Sequence, residues 1–529
     1  MASVDLDARL ADAVRDPRLI TAGLALHQNR LRDAEPLLKA CLRGNPFDVV
    51  AMRMLAELAA RIGRSGDAET LLRRALELAP GFGAARVNLA TVLYQTNRPV
   101  EALAELARLD TDDEADNPNL RAAVLGRLGH FDQALALYEA VLARQPGAAH
   151  VWMSYGHVLK TLGRVDDGVS AYRRAVAIAP AFGEAWWSLA NLKTVRLDAG
   201  DIAATEAALA GPATGDEDRF HLEFALGKAL EDRGETDAAF TRYAAANAHR
   251  RALVDYDAEV IHTRVARAMA RFDAAFFAAR DGWGCPSAAP IFIVGLPRSG
   301  STLIEQILAS HSAVEAITEL PDIPELWAGL GDDPVAAVAE LGPDAVRQLG
   351  EAYCARVAPQ RQTARPHFID KLPNNWLHTG FIRLILPQAR IIDARRHPLS
   401  CGVSNFRQHF ARGQHFSYDL ADIGRYYADY VALMAHFDAE LPGGVHRVIY
   451  DRMVDDSEAT IRALLAAIDL PFEAACLSFH RTERAVRTPS AQQVRVPIFR
   501  DGVDNWQAYD AWLGPLRDAL GPVADDWQR

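Results

Sequence analysis

Apolar and polar positions follow a helical period through the first half of the chain. In LLRRALELAP (71–80) and LALYEAVLARQP (135–146), apolar residues recur at i, i+3, i+4 and i+7, which predicts helices with one buried stripe each. Between such stretches, marker residues repeat. Ala34, Ala68 and Ala102 are spaced by 34, as are Gly63 and Asn97, Gly129 and Gly163, Pro46 and Pro80, and Pro146 and Pro180. A different pattern begins at Ile291. Ile291 to Val294 form an unbroken apolar run, as a strand buried on both faces requires, and a glycine loop and the helical stretch LIEQILASH follow. Two further apolar runs, at Phe368–Ile369 and Ile391–Ile392, predict more strands, and HRVIYDRMVDD reads as strand then helix.

The 34-residue period has a mechanical reading. Each unit is two antiparallel helices, with a small residue (Ala34, Ala68, Ala102, Ala134) where they approach closely. Gly63, Asn97, Gly129 and Gly163 fall at the turn, where positive φ is needed, and proline stops the second helix. One pair cannot cover its own apolar face, so several must stack. These units resemble tetratricopeptide repeats over residues 17–250, in about six or seven units. The last two, around Asp201 and Gly234, keep only part of the pattern. The resemblance implies a groove for a peptide or protein partner; a scaffold or a dimerisation arm is the plainer alternative. DYDAEVIHTRVARAMARFDAAFFAARDGWG then predicts one long bridging helix, and WGCPSAAP a boundary. The expected domains are 1–253 for the repeats, 254–287 for the bridging helix and linker, and 288–529 for the domain holding the loop.

Length and charge narrow the function. The chain has 529 residues, more than one core supports, so at least two domains are expected. Hydrophobic residues make up 50% and charged residues 24%, an ordinary globular balance. A net charge of −12 argues against a general nucleic-acid binder but allows a local site for a small anion. The charged opening has no apolar core of a signal peptide, and no long apolar run predicts a membrane span. Cys41, Cys285, Cys354, Cys401 and Cys476 show no CxxC spacing, so neither a zinc site nor a disulfide framework is expected. A cytoplasmic setting is the expectation that follows.

The loop GLPRSGSTL carries the sharpest chemistry. Strand, glycine loop and helix make an anion cradle, in which the N–H groups of Ser299, Gly300, Ser301 and Thr302 would meet phosphate oxygens. Gly295, Gly300 and Thr302 fit Walker A spacing, but Ser301 stands at the lysine position and the positive charge is Arg298. That departure argues against nucleoside triphosphate hydrolysis.

PRSGSTL resembles the 5′-phosphosulfate loop of sulfotransferases, closely that of the tyrosylprotein sulfotransferases and their repeat-bearing bacterial relatives. The resemblance covers about residues 288–525, with five motifs in order. It implies an all-α repeat solenoid followed by an α/β, P-loop-like domain with a mostly parallel sheet. It also implies a sulfotransferase using 3′-phosphoadenosine-5′-phosphosulfate (PAPS), without a metal. Glu319, 21 residues after Arg298, matches the general base. Lys371, in HFIDKLPNNW, matches the lysine that supports developing charge. Arg396 and Ser404 match the 3′-phosphate clamp, although His397 and Leu399 depart from its pattern, and Arg395 or Arg407 could supplement it. Tyr450 matches a tyrosine near the nucleotide. Ser490 matches a serine that donates to a sulfuryl oxygen, and Ala491 to Phe499 would line the cofactor. A family lysine falls on Asn505, a loss for which Arg495 or Arg500 could compensate. The resemblance thus gives Arg298, Glu319, Lys371 and Ser490 catalytic roles, and gives Arg298, Ser299, Gly300, Ser301, Thr302, Arg396, Ser404, Tyr450, Ser490 and Arg495 the donor. The acceptor stays open between a tyrosine of a peptide and a small hydroxylated molecule. Two rivals stay open as well: a repeat protein that senses nucleotide without turnover, and an atypical nucleotide kinase.

Overall fold

In the computed structural model, which describes residues 16–109, 117–192, 195–212, 214–317, 319–410, 413–484, 486, 488, 493–500 and 502–528, the repeat pattern becomes pairs of helices. They are α1 (Pro17–His27), α2 (Leu31–Gly44), α3 (Val49–Arg61), α4 (Ser65–Leu78), α5 (Gly83–Gln95), α6 (Pro99–Leu106), α7 (Pro118–Leu128), α8 (Phe131–Arg144), α9 (Ala149–Leu162), α10 (Val165–Ile178), α11 (Gly183–Ala190), α12 (Ala199–Ala210), α13 (Asp216–Asp232) and α14 (Thr236–Ala252). The turn positions adopt positive φ: 81° at Gly63, 55° at Asn97, 86° at Gly129, 82° at Gly163 and 78° at Gly234. Asn29 does the same at 55°, extending the register one unit upstream. Asparagine tolerates this conformation better than most side chains, which explains its alternation with glycine. Ala34, Ala68, Ala102 and Ala134 are fully buried where the paired helices meet.

Packing divides the chain into two compact units, Met1–Val158 and Leu159–Arg529. In the first, Val49, Leu72, Leu89 and Leu106 belong to one apolar core. The second groups α10 to α14 with all five strands. Trp187, Phe224 and Tyr243 share a core there with Phe292, Phe381 and Tyr427. The boundary expected near 253 rests on the repeat pattern in the sequence, a different criterion from where packing changes.

The single bridging helix is corrected. The segment forms α15 (Ala258–Arg271) and a short α16 (Ala274–Ala278). Asp273 explains the break: its carboxylate accepts the Phe276 N–H at 2.7 Å and caps a new helix start.

The sheet has strands β1 (Pro290–Gly295), β2 (Val314–Ala316), β3 (His367–Asp370), β4 (Arg390–Arg395) and β5 (His446–Ile449), in the order β2-β3-β1-β4-β5. Every pairing is parallel. Central β1 is buried along its whole length. Its side chains alternate between two cores, Ile291 and Ile293 to one and Phe292 and Val294 to the other. Helices α17 (Ser301–Ala309) and α18 (Pro398–Phe406) follow β1 and β4. The carboxyl ends of adjacent parallel strands therefore lie side by side, where open α/β sheets bind ligands. Among the described residues, no helix is long and apolar enough to cross a membrane.

Candidate active site

The loop after β1 turns sharply to present the start of α17. Arg298 takes φ 68° and Gly300 φ 98°. A Cβ on Gly300 would lie 2.6 Å from the Tyr450 ring, so a side chain there would displace that tyrosine. Among the described residues, no side chain caps α17, which leaves its opening N–H groups for an external acceptor. Two neighbours hold the loop in place. Asn405 Nδ2 donates to the Pro297 carbonyl at 2.8 Å, and Arg396 Nη1 donates to the Arg298 carbonyl at 3.0 Å. Tyr427 in turn donates to the Arg396 carbonyl at 2.6 Å.

A cavity of about 300 Å³ opens beside this loop. Arg298, Gly300, Ser301, Thr302, Arg396, Ser404 and Tyr450 all line it. Ser404 Oγ accepts from Arg396 Nη1 at 3.3 Å and from Asn505 Nδ2 at 3.4 Å, joining residues from three separate segments. Arg396 also donates to the Gly502 carbonyl and stacks over Tyr450, 5.0 Å from the ring centre. Among the described residues, the cations lining the cavity are Lys228, Arg298, Arg396 and Arg407, against one carboxylate, Glu231. Burial, and then the positive charges of Arg396 and Arg407, push the Arg298 guanidinium down to about 10. Burial likewise pushes Arg396 below its ordinary value. Crowded, desolvated cations of this kind are relieved by a bound polyanion. Among the described residues, no group of three or more His, Cys, Asp or Glu side chains is placed to hold a metal ion.

Parts of the chain match known families. The family described as "Sulfotransferase family" matches residues 290–474. Two families described as "Tetratricopeptide repeat" match residues 21–81 and 120–192, and residues 63–125. The chain carries a sulfotransferase-family domain behind tetratricopeptide repeats. An uncharacterized protein of Aquifex aeolicus (strain VF5) is 34% identical over 333 residues, 60% of this chain and 44% of that protein. The chain thus spans less than half the length of that relative. Among solved structures, the sulfotransferase domain from the Synechococcus PCC 7002 olefin synthase is 20% identical, with a TM-score of 0.36, covering 47% of this chain and 98% of that one. YrrB, a TPR protein with an unusual peptide-binding site, is 22% identical, with a TM-score of 0.26, covering 34% of this chain and 94% of that one.

Within the sulfotransferase domain, Glu319 and Lys371 meet each other. Lys371 follows β3 directly, and its ammonium donates to the Glu319 carboxylate in an ion pair. The lysine is buried and the glutamate half-exposed. Both stand at the carboxyl edge of the sheet, since β3 is the neighbour of β1, but neither lines the cavity. Asp370, fully buried beside Lys371, accepts from Tyr353 at 2.9 Å, and burial holds its carboxyl well above the usual range.

The remaining expected residues fall in several places. Ser299 is buried and does not line the cavity. Arg495 donates to the Arg484 carbonyl at 3.1 Å, its guanidinium lies against Gly163, and it does not line the cavity. Arg500 pairs with Asp455 at 2.7 Å, with both side chains exposed. Arg395 is buried against Asp393 at 2.7 Å. Ser490 lies outside the described residues, as do Ala491 and Gln492. Asn505 lines the cavity itself. Sequence reasoning missed Trp187, Lys228, Glu231 and Tyr243, helix residues that line the same cavity. No local motif marks them, because in the sequence they belong to the repeat helices.

Proposed function

We propose that this domain moves a sulfuryl group from PAPS to an acceptor hydroxyl. The observation that carries the reading is the cavity, where an uncapped helix start and a cluster of buried arginines meet in the segment matched by the sulfotransferase family. The N–H groups of Gly300, Ser301 and Thr302 and the Arg298 side chain hold the 5′-phosphosulfate. Arg396, Ser404 and Asn505 hold the 3′-phosphate, because planar guanidinium forks match phosphate oxygens.

Glu319 takes the proton of the acceptor hydroxyl as its oxygen bonds to sulfur. The bond from sulfur to the bridging oxygen breaks, and adenosine 3′,5′-bisphosphate leaves with that electron pair. Lys371 turns from Glu319 to the sulfuryl and bridging oxygens and supports the charge gathering there. Ser490 donates to a sulfuryl oxygen. The repeats engage a peptide or protein that carries the acceptor, with tyrosine the first residue to try.

Transfer of 35S from labelled PAPS to a panel of tyrosine peptides and small hydroxylated acceptors tests this reading. Label must move with the wild-type chain and cease with Glu319→Ala. The mutual pairing of Glu319 and Lys371, away from the cavity, favours one second reading: a nucleotide sensor. Tight PAPS binding without transfer to any acceptor is its signature.

A further inference from the structure

The donor cavity is not built by the sulfotransferase domain alone. Trp187 on α11, Lys228 and Glu231 on α13, and Tyr243 on α14 form part of its wall. All four lie upstream of residue 290, where the sulfotransferase match begins. At the cavity wall Glu231 and Tyr243 meet Arg407, which lies one residue past α18 and three residues after Ser404. Arg407 Nη1 donates to Glu231 Oε1, and Tyr243 donates to the second oxygen of the same carboxylate at 2.7 Å. The Tyr509 ring closes the other side, 5.3 Å from the guanidinium carbon. Arg407 Nε is buried and has no hydrogen-bond partner among the described residues, and Arg396 Nε is in the same condition.

This arrangement fixes a third guanidinium at the edge of the cavity. Burial works against the charge of Arg407, but Glu231 outweighs it and holds the group above its ordinary value. A guanidinium locked this way loses little freedom on meeting a phosphate.

We infer that Arg407 is a further ligand for the 3′-phosphate, and that Glu231 and Tyr243 of the helix pair α13–α14 are its positioning residues. The inference rests on the proposed donor reading. On this view the helices ahead of the sulfotransferase match complete the nucleotide site, and the sulfotransferase segment by itself lacks one wall.

Calorimetry on the full chain tests it with two probes, adenosine 3′,5′-bisphosphate and adenosine 5′-monophosphate. The double variant Glu231→Gln/Arg407→Gln removes both charges together, so no buried carboxylate is left alone. Its affinity for the bisphosphate should fall about tenfold or more, while monophosphate affinity changes less than about twofold. A merely structural role would not move that difference between the probes. If the double variant keeps the wild-type preference, the inference is wrong and the donor reading stands. If the wild type binds neither probe, the donor reading fails and the inference falls with it. Should the double variant not fold, Arg407→Lys decides, because it keeps the charge but loses the fork. A drop in bisphosphate preference of about threefold or more supports the role, and an unchanged preference overturns it.

Discussion

Helix α4 and helix α13 both belong to helix pairs with a positive-φ glycine at the turn, Gly63 before α4 and Gly234 after α13, yet they are buried in opposite ways. In α4, only Ala68, Leu72 and Ala75 are buried, a single stripe at helical spacing. In α13, every residue from Phe220 to Gly227 is buried, including His221 and Glu223. The difference comes from neighbours. A helix covered on one side needs one apolar stripe. A helix that packs on α12 and α14 and also joins the core of the sheet must satisfy every face. That is why the repeat pattern looks degenerate there: the periodic signal is lost because burial is complete.

The strongest way to break this comparison is Phe224→Ala. Phe224 is fully buried in α13, so the variant should lose about 3–5 kcal/mol. Calorimetric melting with and without adenosine 3′,5′-bisphosphate checks where the loss falls. It should lower the transition that nucleotide raises, whereas Leu72→Ala in α4 should lower a different one. A shared transition for both would remove the distinction.

Next in size is a change of chemistry without a change of packing. Lys371→Met, which keeps the volume of the buried stem, should lower sulfuryl transfer by about 10²–10³. Its melting temperature should stay close to that of the wild type, as read by circular dichroism. Equal losses of activity and stability would show that the lysine is structural.

A pH series sharpens the comparison, because complete burial in α13 traps an ionisable ring. His221 and His409 pack edge to face, 4.6 Å apart. Burial, with Arg250 nearby, pushes His221 down to about 4; burial, His221 and Arg250 push His409 down to about 2. The folded state therefore keeps both rings neutral, while the unfolded chain binds protons from about pH 6.5 downward. Stability is fully present above pH 6.5 and falls toward pH 4, at about 1 kcal/mol per pH unit for each ring. Urea midpoints at several pH values measure the slope, and His409→Phe should reduce it by about half. An unchanged slope would assign the acid sensitivity elsewhere.

The smallest effect tests the shared turn. Gly63→Ala forces an ordinary side chain to φ 81°, with open space around it, and should cost about 1 kcal/mol. The same change at Gly234 should cost as much, since both turns have the same local geometry. Denaturant unfolding of the two variants compares them.

Local sequence determined the parts whose physics is local. A 34-residue spacing of alanine and glycine was enough to place the helix pairs and their positive-φ turns, because each turn is set by a few consecutive residues. The strand, loop and helix around Gly300 were legible for the same reason: a buried strand, a glycine and a helix start adjoin in the chain. The break at Asp273 was missed, because an aspartate in a helical pattern reads equally well as a surface residue until its carboxylate is seen capping Phe276. Tertiary structure alone decided the far wall of the cavity. Glu231 and Arg407 are 176 residues apart, and nothing beside Glu231 separates it from the many solvated carboxylates of the repeats. Only folding brings that charge beside its partner, since a contact between distant segments has no period, spacing or local conformation to record it.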